Sequence, residues 1–225
     1  MNAFNRYAAI LSLALASAQA QAVEFSFTSA GTITDPLTDL TITSSAWSNT
    51  AAGSQFEAAK LSFDTTNGMG VYNPTENDKS KGQGNTTDAL GNNKGVDLVL
   101  FSFSSAVSLQ SLTIYQVGRD SDLSLWAGTG TFSPSGLQAS SSLLGTERLF
   151  SNTNSTEGIR TVDLSAIIGT YDWLAVAARI DHTDDVAKLK SLTVTPVAQS
   201  VPEVETWVML LAGLGLVGFA VRRRA

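Results

Sequence analysis

Apolar residues between positions 23 and 197 recur with period two, in short runs broken by turn residues, as half-buried strands require. Residues 23–34 alternate around Phe25 and Phe27, and residues 40–47 carry Leu40, Ile42 and Trp47. Residues 56–63 alternate at Leu61 and Phe63, with a short helix as the other reading. The run 96–103, VDLVLFSF, is nearly all apolar and predicts a central strand buried on both faces. Further strands are predicted over 108–117, 123–127, 146–150, 159–164, 173–180 and 187–197. No segment of this region has the length and 3.6-residue period of an amphipathic helix. About nine or ten strands without intervening helices predict an all-β antiparallel sandwich, with a jelly-roll as the expected form. Residues 65–94, rich in Gly, Asn and Asp, are predicted as one long loop. A loop of that length in a compact domain is usually functional or disordered.

The two ends follow different patterns. Residues 1–22 read as a secretory signal peptide. Arg6 gives the charged start, residues 8–16 the apolar stretch, and the small residues at Ala18, Ala20 and Ala22 the cleavage site, after Ala20 or Ala22. The partners this implies are the Sec translocon and signal peptidase. At the other end, Val201, Pro202 and Glu203 precede an apolar run over 207–221, and Arg222, Arg223 and Arg224 follow it. Fifteen residues of helix span about 22 Å, against a hydrocarbon core of about 30 Å, so the run crosses a bilayer only with help from its flanks. The arginines act as a stop signal and stay on the cytoplasmic side. Gly213, Gly215 and Gly218 offer a close-packing face to another membrane helix. The sequence thus divides into a signal peptide (1–22), a β domain (23–198) and a tail (199–225).

The tail resembles the PEP-CTERM sorting signal recognised by exosortases, membrane-embedded cysteine transpeptidases of Gram-negative bacteria. The matching residues are Val201-Pro202-Glu203, the core LLAGLGL over 210–216, and the terminal arginines. Val204 stands where the signature has its second proline. The resemblance implies transient anchoring in the membrane, cleavage near Pro202-Glu203 and delivery to the cell surface or extracellular matrix. A second, narrower resemblance covers residues 68–130: GVYN at 70–73, DALGNNKGVD at 88–97, LFSF at 100–103 and GRDSDLS at 118–124. These stretches resemble one group of exosortase-dependent surface proteins. Asp88 and Gly91 stand where that group often has His and Asp.

Charge and composition narrow the chemistry. Without Arg6 and the three terminal arginines, and without Glu203 and Glu205, 18 acidic and 10 basic residues remain of the 20 and 14 in the chain. That acidic balance, with no basic cluster in the domain, excludes nucleic acid as a partner. There is no cysteine and one histidine, His182. A Cys-His nucleophile and a multi-histidine zinc site are therefore excluded. No Gly-x-Ser-x-Gly elbow supports His182 as a catalytic base, and the expectation is that the chain is not an enzyme.

Two binding chemistries remain. Calcium takes six to eight oxygens. Asp97, Asp120 and Asp122 are its candidate ligands, from clusters that also include 76–78, 92–97 and 181–185. No cofactor is required by the sequence, and a structural calcium is the one ion it suggests. A sugar site needs an exposed aromatic to stack on the ring, with polar groups for the hydroxyls. Tyr72, Trp126, Asp120 and Asp122 are its candidates, because alternation sets Trp126 on the face opposite Leu123 and Leu125. Trp173, beside Leu174 and Val176, is expected in the core. The reading is an exported, exosortase-processed surface or matrix protein associated with extracellular polysaccharide. Its alternatives are a module with a discrete glycan site and a self-assembling structural protein.

Overall fold

The structure is a computed structural model, and it describes residues 21–49, 55–72, 89–92, 95–118, 120–138, 147–152, 154–181, 184–197 and scattered positions of the tail. Most of the signal-peptide segment, the Val201-Pro202-Glu203 motif, Arg224 and His182 lie outside the described residues. Residues Ala20–Val197 form one compact unit.

The strands are β1 (Val23–Ser26), β2 (Thr32–Thr34), β3 (Thr41–Ser48), β4 (Glu57–Ala58), β5 (Lys60–Asp64), β6 (Gly68–Tyr72), β7 (Leu90–Gly91), β8 (Asp97–Gln116), β9 (Leu123–Gly128), β10 (Arg148–Phe150), β11 (Gly158–Asp163), β12 (Tyr171–Ala178) and β13 (Val186–Pro196). All named strand pairs are antiparallel, in one continuous sheet with the central order β10-β9-β12-β8-β13-β6-β5. One strand, β8, runs through both layers, so the antiparallel pairing is continuous from one layer to the other.

The shape of β8 follows from its neighbours. Straight, its 20 residues would span about 66 Å. Yet Ala177 of β12 pairs with Leu98 at its start, and Ala187 of β13 pairs with Gln116 at its end. The segment 179–185 between β12 and β13 reaches at most about 27 Å. β8 must therefore fold back on itself. The register locates the bend: Tyr171 faces Val107 but Trp173 faces Ser102, so β8 advances five residues while β12 advances two. The first half of β8 lies between β12 and β3, and the second half between β13 and β11. The sequence reading of two strands, 96–103 and 108–117, thus becomes one strand bent at residues 103–106.

The main core fills the space between the two halves. Val99, Phe101, Leu125, Leu174 and Val176 face Phe25, Leu109, Ile114, Leu189 and Val194. Phe27, held beside β13 by its N–H to Lys190 C=O (2.8 Å), stacks on Phe101 at 5.0 Å between ring centres. A second apolar cluster lies on the outer face of the first layer, where Leu98, Leu100, Trp126, Trp173, Ala175 and Ala177 are covered by Phe56, Trp47 and Phe132. Phe132 stacks on Trp173 at 4.4 Å. Covering both faces explains why β8, β9 and β12 read as continuous apolar runs.

β6 corrects the loop expected over 65–94 in part. Its first four residues are buried, and Gly68 has φ +99°. A Cβ there would run into the Leu189 backbone, so glycine is what lets β6 approach β13. Residues 73–88 of the same stretch lie outside the described residues.

The tail is a separate unit. Its described residues are helical at Met209, 211–214, Leu216, Phe219 and Arg222. Arg223 N–H donates to Phe219 C=O at 3.2 Å, closing a helical turn. Among the described residues no helix is long and apolar enough to cross a membrane.

Candidate functional site

The polar side chains that sequence reading scattered over several clusters converge at one end of the β domain. This is the end where β8 starts and finishes. The connection from β8 to β9 and that from β12 to β13 meet there: Asp120 and Asp185 form a parallel bridge, Val186 N–H donates to Asp120 C=O, and Arg179 N–H to Asp122 C=O, both at 3.1 Å. These backbone bonds bring the carboxylates of Asp120, Asp122 and Asp185 within 4.8 Å of one another.

Asp185 is fully buried. Its Oδ1 accepts the Asp122 N–H (2.8 Å) and its Oδ2 accepts Asn92 Nδ2 (2.9 Å), while its own N–H donates to Asn92 Oδ1 (3.1 Å). Burial pushes its carboxyl up to about 6, against those hydrogen bonds; the neighbouring Asp120 and Asp122 charges push the same way. Asp122 is bonded through both oxygens. Oδ1 accepts the Asn152 N–H, and Oδ2 pairs with Arg179 Nη1 at 3.0 Å. Arg179 also forks onto Asp181, and both carboxylates hold its guanidinium more firmly charged. Asn152 Nδ2 joins Gln116 Oε1 (2.6 Å) to Ser121 Oγ (2.9 Å).

The arrangement is a closed polar network that locks three loops together, rather than an open ligand cup. The three carboxylates are close enough to share a cation, and protein groups already meet two of them. Both oxygens of Asp122 and of Asp185 already accept hydrogen bonds, and the guanidinium of Arg179 neutralises Asp122.

The sequence-predicted site residues are therefore only partly brought together. Asp120 and Asp122 meet; Asp97 is outside the trio, with its Oδ2 accepting the Gly91 N–H at 3.1 Å. Trp126 is the clearest correction. It does face away from Leu125, as alternation requires, but that face carries the second apolar layer, and Trp126 is 1% exposed. It cannot stack on a sugar. Tyr72 is 40% exposed, opposite Lys60 at the β5–β6 hairpin, with β13 between its strand and β8. No sugar platform joins these four residues. Trp173 is buried in the outer apolar cluster, as expected.

Sequence reasoning missed Arg179 and Asn152, and placed Asn92 and Asp185 in separate clusters. The one signal for Asp185 was its place in a run of acids after an apolar strand.

No curated protein matches the chain. Residues 200–224 match the family model of the PEP-CTERM protein-sorting motif, and the match is confined to this tail. The chain therefore carries the sorting signal that marks an exported protein for recognition by an exosortase.

Proposed function

We propose that this is a surface or matrix protein whose β domain is released from its tail and then associates with extracellular polysaccharide. The observation that carries the reading is the sorting motif at 200–224, placed directly after a folded β domain. Exosortase removes the tail near Pro202-Glu203, and the domain is the cargo. The signal peptide at 1–22 takes the chain through the Sec translocon. The composition suits such a cargo: acidic overall, rich in Ser, Thr, Asn and Gly, and free of cysteine. Association is spread over the polar strand surface rather than confined to one pocket, because Trp126 is buried and the exposed Tyr72 sits apart, on the β5–β6 hairpin. The domain acts by binding and not by catalysis.

Co-sedimentation tests this reading. The processed protein is mixed with exopolysaccharide isolated from its own host and spun. Pelleting well above that of an unrelated acidic β protein supports the proposal. Equal pelleting refutes the polysaccharide role and leaves self-assembly, read from concentration-dependent oligomers, as the alternative.

A further inference from the structure

We infer that the end of the β domain at the β8 bend, presenting Leu37, Ile168 and Val197, is a docking surface for the outward face of the exosortase. The inference rests on the sorting reading of the tail and adds the domain's own contribution to it.

The first support is chain length. Among the described residues, the last backbone tie of the domain is Val197 N–H to Ala106 C=O, at 3.0 Å, in the β8 bend. Pro202 is five residues further on, at most about 18 Å when extended. The unit Ala20–Val197 is roughly 40 Å across for its chain length. An enzyme that grips Pro202-Glu203 therefore works within half a domain width of the point where the chain leaves the domain.

The second support is what that surface displays. Three loops and strand ends surround residues 104–107 of β8. Thr41, after the β2–β3 turn, donates its N–H to Ser104 Oγ at 2.9 Å. Tyr171 pairs with Val107, and its hydroxyl donates to Ile168 C=O at 2.9 Å. Pro196 also pairs with Val107. Leu37 is at the tip of the first loop and is 86% exposed; Ile168, in the second, is 90% exposed; Val197 is 41% exposed. The other large apolar side chains exposed on the described domain are Tyr72, Leu149 and Ile159. Half of the exposed apolar set thus rings the chain's exit.

The third support is rigidity. The Asp35 carboxylate accepts both the N–H (2.8 Å) and the hydroxyl (2.6 Å) of Thr38, and Asp39 N–H returns to Asp35 C=O at 2.9 Å. Leu37 is carried on a closed turn, which lowers the ordering cost of a contact. The occupant is the enzyme because the reach from Val197 to Pro202 brings it to this surface, and the turn that carries Leu37 is itself acidic, with Asp35 and Asp39.

The test is a pulse-chase in the native host, reading the fraction of chain that has lost its tail. Leu37→Asp and Ile168→Asp are introduced singly and together, with thermal unfolding as the control for folding. A second pair of chains carries a 15-residue Gly-Ser insert after Val197. The double variant is expected to lose its tail about tenfold more slowly than wild type with an unchanged melting temperature, as for loss of a central apolar contact. With the insert, the same substitutions are expected to slow processing less than about twofold, because the enzyme then reaches the motif away from the domain. Equal rates for the double variant and wild type, without the insert, overturn the inference. So does slowing that persists undiminished with the insert, which would point to the bilayer or to export. A wild-type chain that never loses its tail overturns the sorting reading itself, and the inference with it.

Discussion

Asp185 should make the β domain more stable in mild acid than at neutral pH. Its carboxyl is raised from an unfolded value of 3.8 to about 6 in the folded state. The folded state therefore holds the proton more tightly. The stabilisation this gives is fully present below pH 3.8 and is lost as pH rises to 6. The shift of about two units corresponds to about 3 kcal/mol, and most of it is recovered between pH 7.5 and pH 4. Asp64 acts in the opposite sense. Backbone N–H groups of Thr66 and Asn67, helped by Lys188, hold its carboxyl at about 2, so it loses stabilisation as pH falls below 3.8. At pH 4 that loss is small, because both its folded and its unfolded values lie below pH 4, and Asp185 wins. For a domain of this size, about 2–4 °C per kcal/mol gives a melting temperature roughly 4–8 °C higher at pH 4 than at pH 7.5. The assay is thermal unfolding followed by circular dichroism at fixed ionic strength. Asp185→Asn is the diagnostic variant. Its amide can still accept the Asp122 N–H, but its Nδ2 would face Asn92 Nδ2, donor against donor. It should therefore be less stable than wild type at pH 4, by about 1–2 kcal/mol, and equal or more stable at pH 7.5. A wild-type melting temperature that is flat or falls from pH 7.5 to pH 4 would refute the assignment. So would a variant that loses stability equally at both pH values.

Three further outcomes follow from the packing. Gly128→Ala should cost about 1–3 kcal/mol in denaturant unfolding, because the new Cβ would enter the Trp173 ring, itself pinned by Phe132; an unchanged midpoint would show that the outer layer yields. Asp64→Asn should cost about 2 kcal/mol at pH 7, since it strands the ammonium of Lys188, 3% exposed and 3.3 Å from Asp64 Oδ2, and the difference should disappear near pH 2. Calcium at millimolar concentration should move the melting temperature by less than about 1 °C relative to chelator; a rise of several degrees would mean that the ion displaces Arg179 from Asp122 and takes the three carboxylates.

The strands were legible because a half-buried strand writes its two faces into alternating residues. Phe25 and Phe27, Leu192 and Val194, and the apolar run 98–101 all lie where that rule puts them. Alternation also gave the direction of Trp126 correctly. It could not give exposure, since what covers that face, Phe56 and Phe132, comes from distant segments with no period of their own. The bend in β8 was hidden for a similar reason. Ser104, Ser105 and Ala106 fall between the two strands read at 96–103 and 108–117; the structure runs one strand through them, and the short 179–185 connection requires it to bend. In β6, Gly68 and Gly70 read as loop residues, whereas Gly68 serves a close approach to β13. The polar network is drawn from residues 92, 116, 120–122, 152, 179 and 185. No local pattern links positions so far apart. The tail is the opposite case: its signal is a linear string read by an enzyme, and the sequence alone displays it.

Intact-mass analysis of the protein from the surface and medium of its native host, with and without the exosortase, tests the central claim most directly. The account predicts a chain ending near Pro202 only when the enzyme is present. A chain that keeps its C-terminal arginines in both strains would contradict it.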